Sequence, residues 1–191
     1  MKIAILGWGS LIWDPRNLEI ENSQGRSGWI DDGPMLPIEF ARISNNGRLT
    51  LVIVPGNKEV QTLYTISKFV ELDHAILDLA VREGCGKNRI GFFAKADHRF
   101  QSRFSNIQLN IESWISGKEN IEAVIWTDLS ANFKDKIGLG ITVENALNYL
   151  KYLPLDVKTI AEQYIRRTPA AVNTPIREAI EQQLGWLNVH L

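Results

Sequence analysis

The tightest constraint on this chain is a short piece of punctuation, Asn45-Asn46-Gly47. It separates two β-like runs, residues 35–44 and 48–55. Asn-Gly between such runs tolerates positive φ at both central positions, which predicts a hairpin of two adjacent antiparallel strands. The neighbouring sequence reads the same way. Residues 2–7 form a short apolar run ending at glycine, as a buried strand does. Residues 59–67 read as another strand, with Val60, Thr62, Tyr64 and Ile66 on one face.

The period then changes. Residues 71–84 place Leu72, Ala75, Ile76, Leu79 and Ala80 at helical spacing, and Gly84 suits the stop. Residues 89–94 return to a strand, and 105–117 predict a helix with Ile107, Ile111, Trp114 and Ile115 on one side. Residues 121–129 are the last strand. Beyond them only helical spacing remains. Thr142 caps a helix over 143–151, and Asp156 caps one that must stop near Pro169. Thr174-Pro175 opens a third helix, with proline at its first position. The expectation is an α+β fold in a single domain. A small mixed, mostly antiparallel β core with inserted helices occupies 1–135, compact enough to close into a barrel. A C-terminal helical extension over 136–191 packs on it.

Composition narrows the function classes. The 191 residues, 45% hydrophobic and 23% charged, can bury a core without disulfides. A net charge of −1 gives no whole-protein field that selects nucleic acid or an acidic membrane. The single cysteine, Cys85, excludes an intrachain disulfide and a cysteine-cluster zinc site, and a cytoplasmic protein is expected. The N-terminal apolar run resembles a short signal peptide, but Gly7, Gly9 and Ser10 break it and residues 14–19 are polar. No apolar stretch approaches the roughly 20 residues that span a bilayer, so no membrane partner is expected.

Several motifs fail on spacing. Gly7-Trp8-Gly9 follows a strand, but Ile12 stands where a dinucleotide fingerprint needs its third glycine. No phosphate-binding G-x-x-x-x-G-K-[ST] occurs, and Ser10 is not in G-x-S-x-G. What survives is a strand end where Gly9, Ser10 and Leu11 offer backbone N–H groups to an oxyanion or carboxylate. The plainer alternative is a tight turn. Glu83 is the second candidate. It ends a helix, where the dipole disfavours negative charge and a carboxyl suits proton transfer. The plainer alternative is a solvated last-turn glutamate beside Arg82.

The remaining chemistry is thin. His74, His98 and His190 lie far apart with no metal-ligand spacing, and His74 with Asp78 reads as a surface pair. Cys85 reads as a nucleophile only with a distant histidine; a buried, incidental thiol is the simpler account. Residues 87–104 interleave Lys87, Arg89, Lys95, Arg99 and Arg103 with Phe92, Phe93, Phe100 and Phe104. Such a stretch suits single-stranded nucleic acid, but without an overall basic excess nucleic acid is not an expected partner.

Residues 7–15, Gly-Trp-Gly-Ser-Leu-Ile-Trp-Asp-Pro, resemble the N-terminal motif of the γ-glutamylcyclotransferase-like superfamily, and most of all its ChaC branch. The helix ending Arg82-Glu83-Gly84 is similar to the family helix that ends in glutamate. The resemblance covers roughly residues 3–127 in layout. It implies a small β-barrel and release of 5-oxoproline from a γ-glutamyl amine or peptide by intramolecular aminolysis. It assigns Glu83 as the catalytic residue. It assigns Gly9, Ser10 and Leu11, with Trp8 where the family has tyrosine, to binding the small-molecule γ-glutamyl substrate. No metal, cofactor or covalent intermediate is implied. Two other readings stand beside it: a ligand-binding module that keeps the fold without turnover, and an interaction domain using residues 87–104.

Overall fold

The computed structural model describes residues 1–21 and 28–189. In chain order the strands and α-helices are β1 (Ile3–Gly7), β2 (Met35–Leu36), β3 (Ile38–Ile43), β4 (Leu49–Ile53), β5 (Val60–Gln61), β6 (Leu63–Ile66), α1 (Leu72–Glu83), β7 (Ile90–Ala94), β8 (Arg99–Gln101), α2 (Gln108–Ser116), β9 (Ala123–Thr127), α3 (Phe133–Ile137), α4 (Val143–Lys151), α5 (Leu155–Arg167) and α6 (Pro175–Leu184). The class is α+β with mostly antiparallel sheets. No helix among the described residues is long and apolar enough to cross a membrane. The chain folds as two compact units. The first comprises Met1–Gly7, Leu11–Leu36 and Gln61–Leu129; the second comprises Trp8–Ser10, Pro37–Val60 and Ser130–Leu191.

The first unit is built on a five-stranded sheet in the order β6-β1-β9-β7-β8. β1 lies between β6 and β9, antiparallel to the first and parallel to the second. All five of its residues are buried, which is why its sequence is apolar without alternation. α1 packs on β7 and β9 through Ala75, Ile76, Leu79 and Ala80. It ends as a left-handed cap at Gly84 (φ 64°), and the Cys85 N–H reaches back to the Ala80 carbonyl at 3.0 Å. In α2, Ile111 and Ile115 are buried, whereas Trp114 is half-buried and donates its indole N–H to the Asp32 carbonyl at 2.6 Å.

The single strand expected over 59–67 is interrupted at Thr62. Its hydroxyl donates to the Pro34 carbonyl at 2.6 Å, and the residue falls between β5 and β6. In β6 both faces are covered: Leu63 and Thr65 are buried as well as Tyr64, and Ile66 is the half-exposed one.

The second unit holds the β3–β4 hairpin and helices α3 to α6. The hairpin forms as Asn45-Asn46-Gly47 predicts, but Gly47 alone among these residues takes positive φ, at 79°. The Gly47 N–H donates to the Ser44 carbonyl at 3.0 Å and the Ser44 N–H to the Arg48 carbonyl at 2.9 Å, so the connection is longer than a two-residue turn. Thr142 and Thr174 cap α4 and α6, accepting from the N–H groups of Asn145 and Arg177. α5 starts earlier than expected: Pro154 is its N-cap residue, and Asp156 lies inside the first turn. That places the Asp156 charge where the helix dipole favours it without making it the cap.

Within this unit Glu39, on β3, is 2% exposed. Its carboxylate accepts from the Thr174 hydroxyl at 2.6 Å, the Phe40 N–H at 2.7 Å and the Ile176 N–H at 3.3 Å. The strand is thereby fastened to the start of α6. Burial pushes the Glu39 carboxyl upward and Glu178 adds to the rise, while the three hydrogen bonds pull the other way.

Candidate active site

β1 ends at Gly7, and the missing side chain there is a packing requirement. A Cβ at this position would lie 2.5 Å from Cζ3 of Trp29 and 3.2 Å from Cγ1 of Ile12. The next three residues belong to the second unit. There Trp8 is buried and donates its indole N–H to the Leu51 carbonyl at 3.4 Å. A Cβ on Gly9 would lie 2.3 Å from the Tyr164 hydroxyl, which also accepts from the Leu51 N–H at 3.4 Å. The two glycines thus have separate reasons. Each lets backbone approach an aromatic side chain that is remote in sequence.

The chain returns to the first unit at Leu11. Leu11 and Ile12 are buried, Trp13 is half-buried, and Asp14 and Arg16 are exposed. A turn closes through the Leu18 N–H to the Pro15 carbonyl at 3.1 Å. Arg16 within it takes φ 54°, a left-handed conformation that costs a non-glycine residue about 1 kcal/mol.

Glu83 is the last residue of α1. Its side chain is 17% exposed, and its carboxylate accepts from Nη1 of Arg82 at 2.6 Å. The Arg82 side chain is 5% exposed and donates through Nη2 to the Asp14 carbonyl, also at 2.6 Å. Arg16 returns a longer bond, Nη1 to the Arg82 carbonyl at 3.4 Å. One buried guanidinium therefore joins the end of α1 to the loop that carries the Gly-Ser-Leu-Ile-Trp-Asp-Pro motif. Guanidinium geometry suits this, because its planar fork presents two donors at fixed angles and both bonds are charge-assisted. Glu83 is neither a freely solvated last-turn residue nor a sealed one.

Of the five residues singled out from the sequence, Leu11 and Glu83 lie in the first unit and Trp8, Gly9 and Ser10 in the second. Arg82 escaped the sequence reading. An arginine next to a glutamate in a last helical turn has the pattern of a solvated pair, whereas here Arg82 is buried and reaches the Asp14 carbonyl.

The other titratable groups are placed differently from expectation or outside the site. His74 pairs with Glu71 at 3.3 Å, not with Asp78. Asp78 instead accepts the Glu19 N–H at 2.9 Å. His98 stands edge-on to Phe93, and His190 lies outside the described residues. Burial pushes the half-buried Cys85 thiol up, the Glu83 charge adds to this and Arg89 opposes it, so Cys85 is held as a thiol. Among the described residues no three histidine, cysteine, aspartate or glutamate side chains gather as metal ligands. In the basic stretch, Phe93 is buried and Phe100 packs on Trp126 at 5.9 Å between centroids. Arg99 lies over the Phe92 ring at 5.6 Å and pairs with Asp97.

Comparison with protein-family models, curated proteins and solved structures finds no match to this chain.

Proposed function

We propose that this chain is a γ-glutamylcyclotransferase-like enzyme that releases 5-oxoproline from a γ-glutamyl amine or peptide, and that its fold closes as the small barrel of that family. The observation that carries the reading is the Arg82 bridge. It binds the Glu83 carboxylate and the Asp14 carbonyl at 2.6 Å each, and so ties together the two segments on which the resemblance rests.

The reaction asks little of a protein. The α-amine and the γ-carbonyl belong to one molecule, so holding the reactive rotamer supplies much of the rate. Glu83 takes a proton from the α-ammonium, and the free amine attacks the γ-carbonyl carbon. The bond to the attacking nitrogen forms and the bond to the leaving nitrogen breaks. Glu83 passes its proton to the departing amine and then takes the second proton from the ring nitrogen, releasing it to the amine, which leaves as an ammonium, or to solvent. A five-membered lactam remains. Glu83 suits this role because it is partly open to solvent yet held in one place. Gly9, Ser10 and Leu11 are assigned the γ-glutamyl group and its oxyanion, with Trp8 at the position where the family has tyrosine.

The test is a product balance. The full chain, incubated with γ-glutamyl amines, γ-glutamyl amino acids and glutathione, yields 5-oxoproline and free amine in equal amounts from at least one. No 5-oxoproline from any member of the panel contradicts the reading. Thermal stabilisation by a γ-glutamyl compound without product would favour a binding module instead.

A further inference from the structure

The geometry points to Arg82 as a positioning residue: it sets the Glu83 carboxylate and the 11–16 loop in one arrangement. Its role in turnover rests on the cyclotransfer reading; its fastening of the loop does not.

Three observations meet at this side chain. Arg82 is 5% exposed, so its charge has left water and must be repaid by close partners. Its two terminal nitrogens each find an oxygen at 2.6 Å, one on the side chain of Glu83 and one on the backbone of Asp14. The loop it grips contains Arg16 at φ 54°, a conformation that persists only when its surroundings over-determine it. The Arg16 side chain adds to that hold, with Nε on the Asp14 carboxylate at 3.4 Å and Nη1 on the Arg82 carbonyl at 3.4 Å. Both of those bonds are long, and the Arg82 bond to the Asp14 backbone is much the shortest of the three. Without Arg82 the Glu83 carboxylate is free to turn toward solvent and the loop loses that bond.

Arg82→Gln and Arg82→Lys separate positioning from bulk stability. Glutamine removes the charge, whereas lysine keeps it but spans only one of the two acceptors. Hydrogen exchange is measured by mass spectrometry on wild type, both variants and Glu83→Gln. In Arg82→Gln the amides over 11–16 exchange at least about tenfold faster, while those of β1 and β9 stay protected. Arg82→Lys is intermediate, and Glu83→Gln, which leaves the bond to Asp14 in place, behaves as wild type over 11–16. In 5-oxoproline release Arg82→Gln lowers kcat about 100-fold with KM within about threefold, since a carboxylate misplaced by an ångström costs that much in the chemical step and little in binding. Arg82→Lys recovers about tenfold of the loss. Unchanged exchange over 11–16 in Arg82→Gln overturns the proposal, as does a kcat within about threefold of wild type. A wild-type chain that releases no 5-oxoproline overturns the cyclotransfer reading, and the exchange result still decides whether Arg82 holds the loop.

Discussion

Two glutamates show how differently this chain uses the same side chain. Glu39, in the second unit, is 2% exposed and sits at the start of a helix with a hydroxyl and two backbone N–H groups on it. Glu83, in the first unit, sits at the end of a helix, is 17% exposed at its side chain and is held by a neighbouring arginine. Glu39 accepts three hydrogen bonds from the protein and is closed to solvent. Glu83 keeps part of its acceptor capacity toward solvent, at a helix end where backbone dipoles do not favour its charge. Burial alone would rank Glu39 as the more perturbed group and the better functional candidate. The hydrogen-bond partners reverse that ranking: a carboxylate whose donors all come from the fold is a fastener, and one held from a single side is available for chemistry.

Stability measurements can break this contrast, and the largest effect is expected at the fastener. Glu39→Ala leaves the Thr174 hydroxyl and two backbone N–H groups without their acceptor, and is expected to lower unfolding free energy by about 3 kcal/mol in urea titrations. A loss under about 1 kcal/mol would show that Glu39 is dispensable. Thr174→Val removes both a donor to Glu39 and the cap of α6, and should cost about 1–2 kcal/mol, read as a lower urea midpoint. Glu83→Gln keeps an acceptor in a partly exposed place and should change stability by less than about 1 kcal/mol. A loss as large as that of Glu39→Ala would make Glu83 a second fastener.

The smallest effect is in pH. Burial raises the Glu39 carboxyl above its unfolded value, so the folded state holds the proton more tightly than the unfolded chain. Its contribution is therefore greatest below the ordinary glutamate range and is lost as pH rises through the folded-state value. The unfolding free energy of wild type minus that of Glu39→Gln should fall as pH rises from the ordinary glutamate range. A difference that is flat or rises with pH would contradict the assignment.

What was legible in the sequence was local. Asn45-Asn46-Gly47, the stop at Gly84 and the caps at Thr142 and Thr174 each depend on residues within a few positions of one another, and each stands where expected. The failures are long-range. Nothing near Glu39 in the sequence announces the α6 terminus that supplies its donors. Thr62 reads as a strand residue until Pro34 offers its carbonyl. The space that Gly9 must leave for Tyr164 is likewise invisible without the fold. In the candidate site, Glu83 is legible from its helix position, whereas Arg82, which holds it, is not.

The central claim is that Glu83 carries the protons in cyclotransfer, and steady-state 5-oxoproline release by Glu83→Gln tests it most directly. The substitution keeps size and one acceptor but removes the proton carrier. The expected result is a kcat lowered by about 100-fold or more with the fold intact by circular dichroism. A folded Glu83→Gln chain that turns over its substrate within about threefold of wild type would contradict the account.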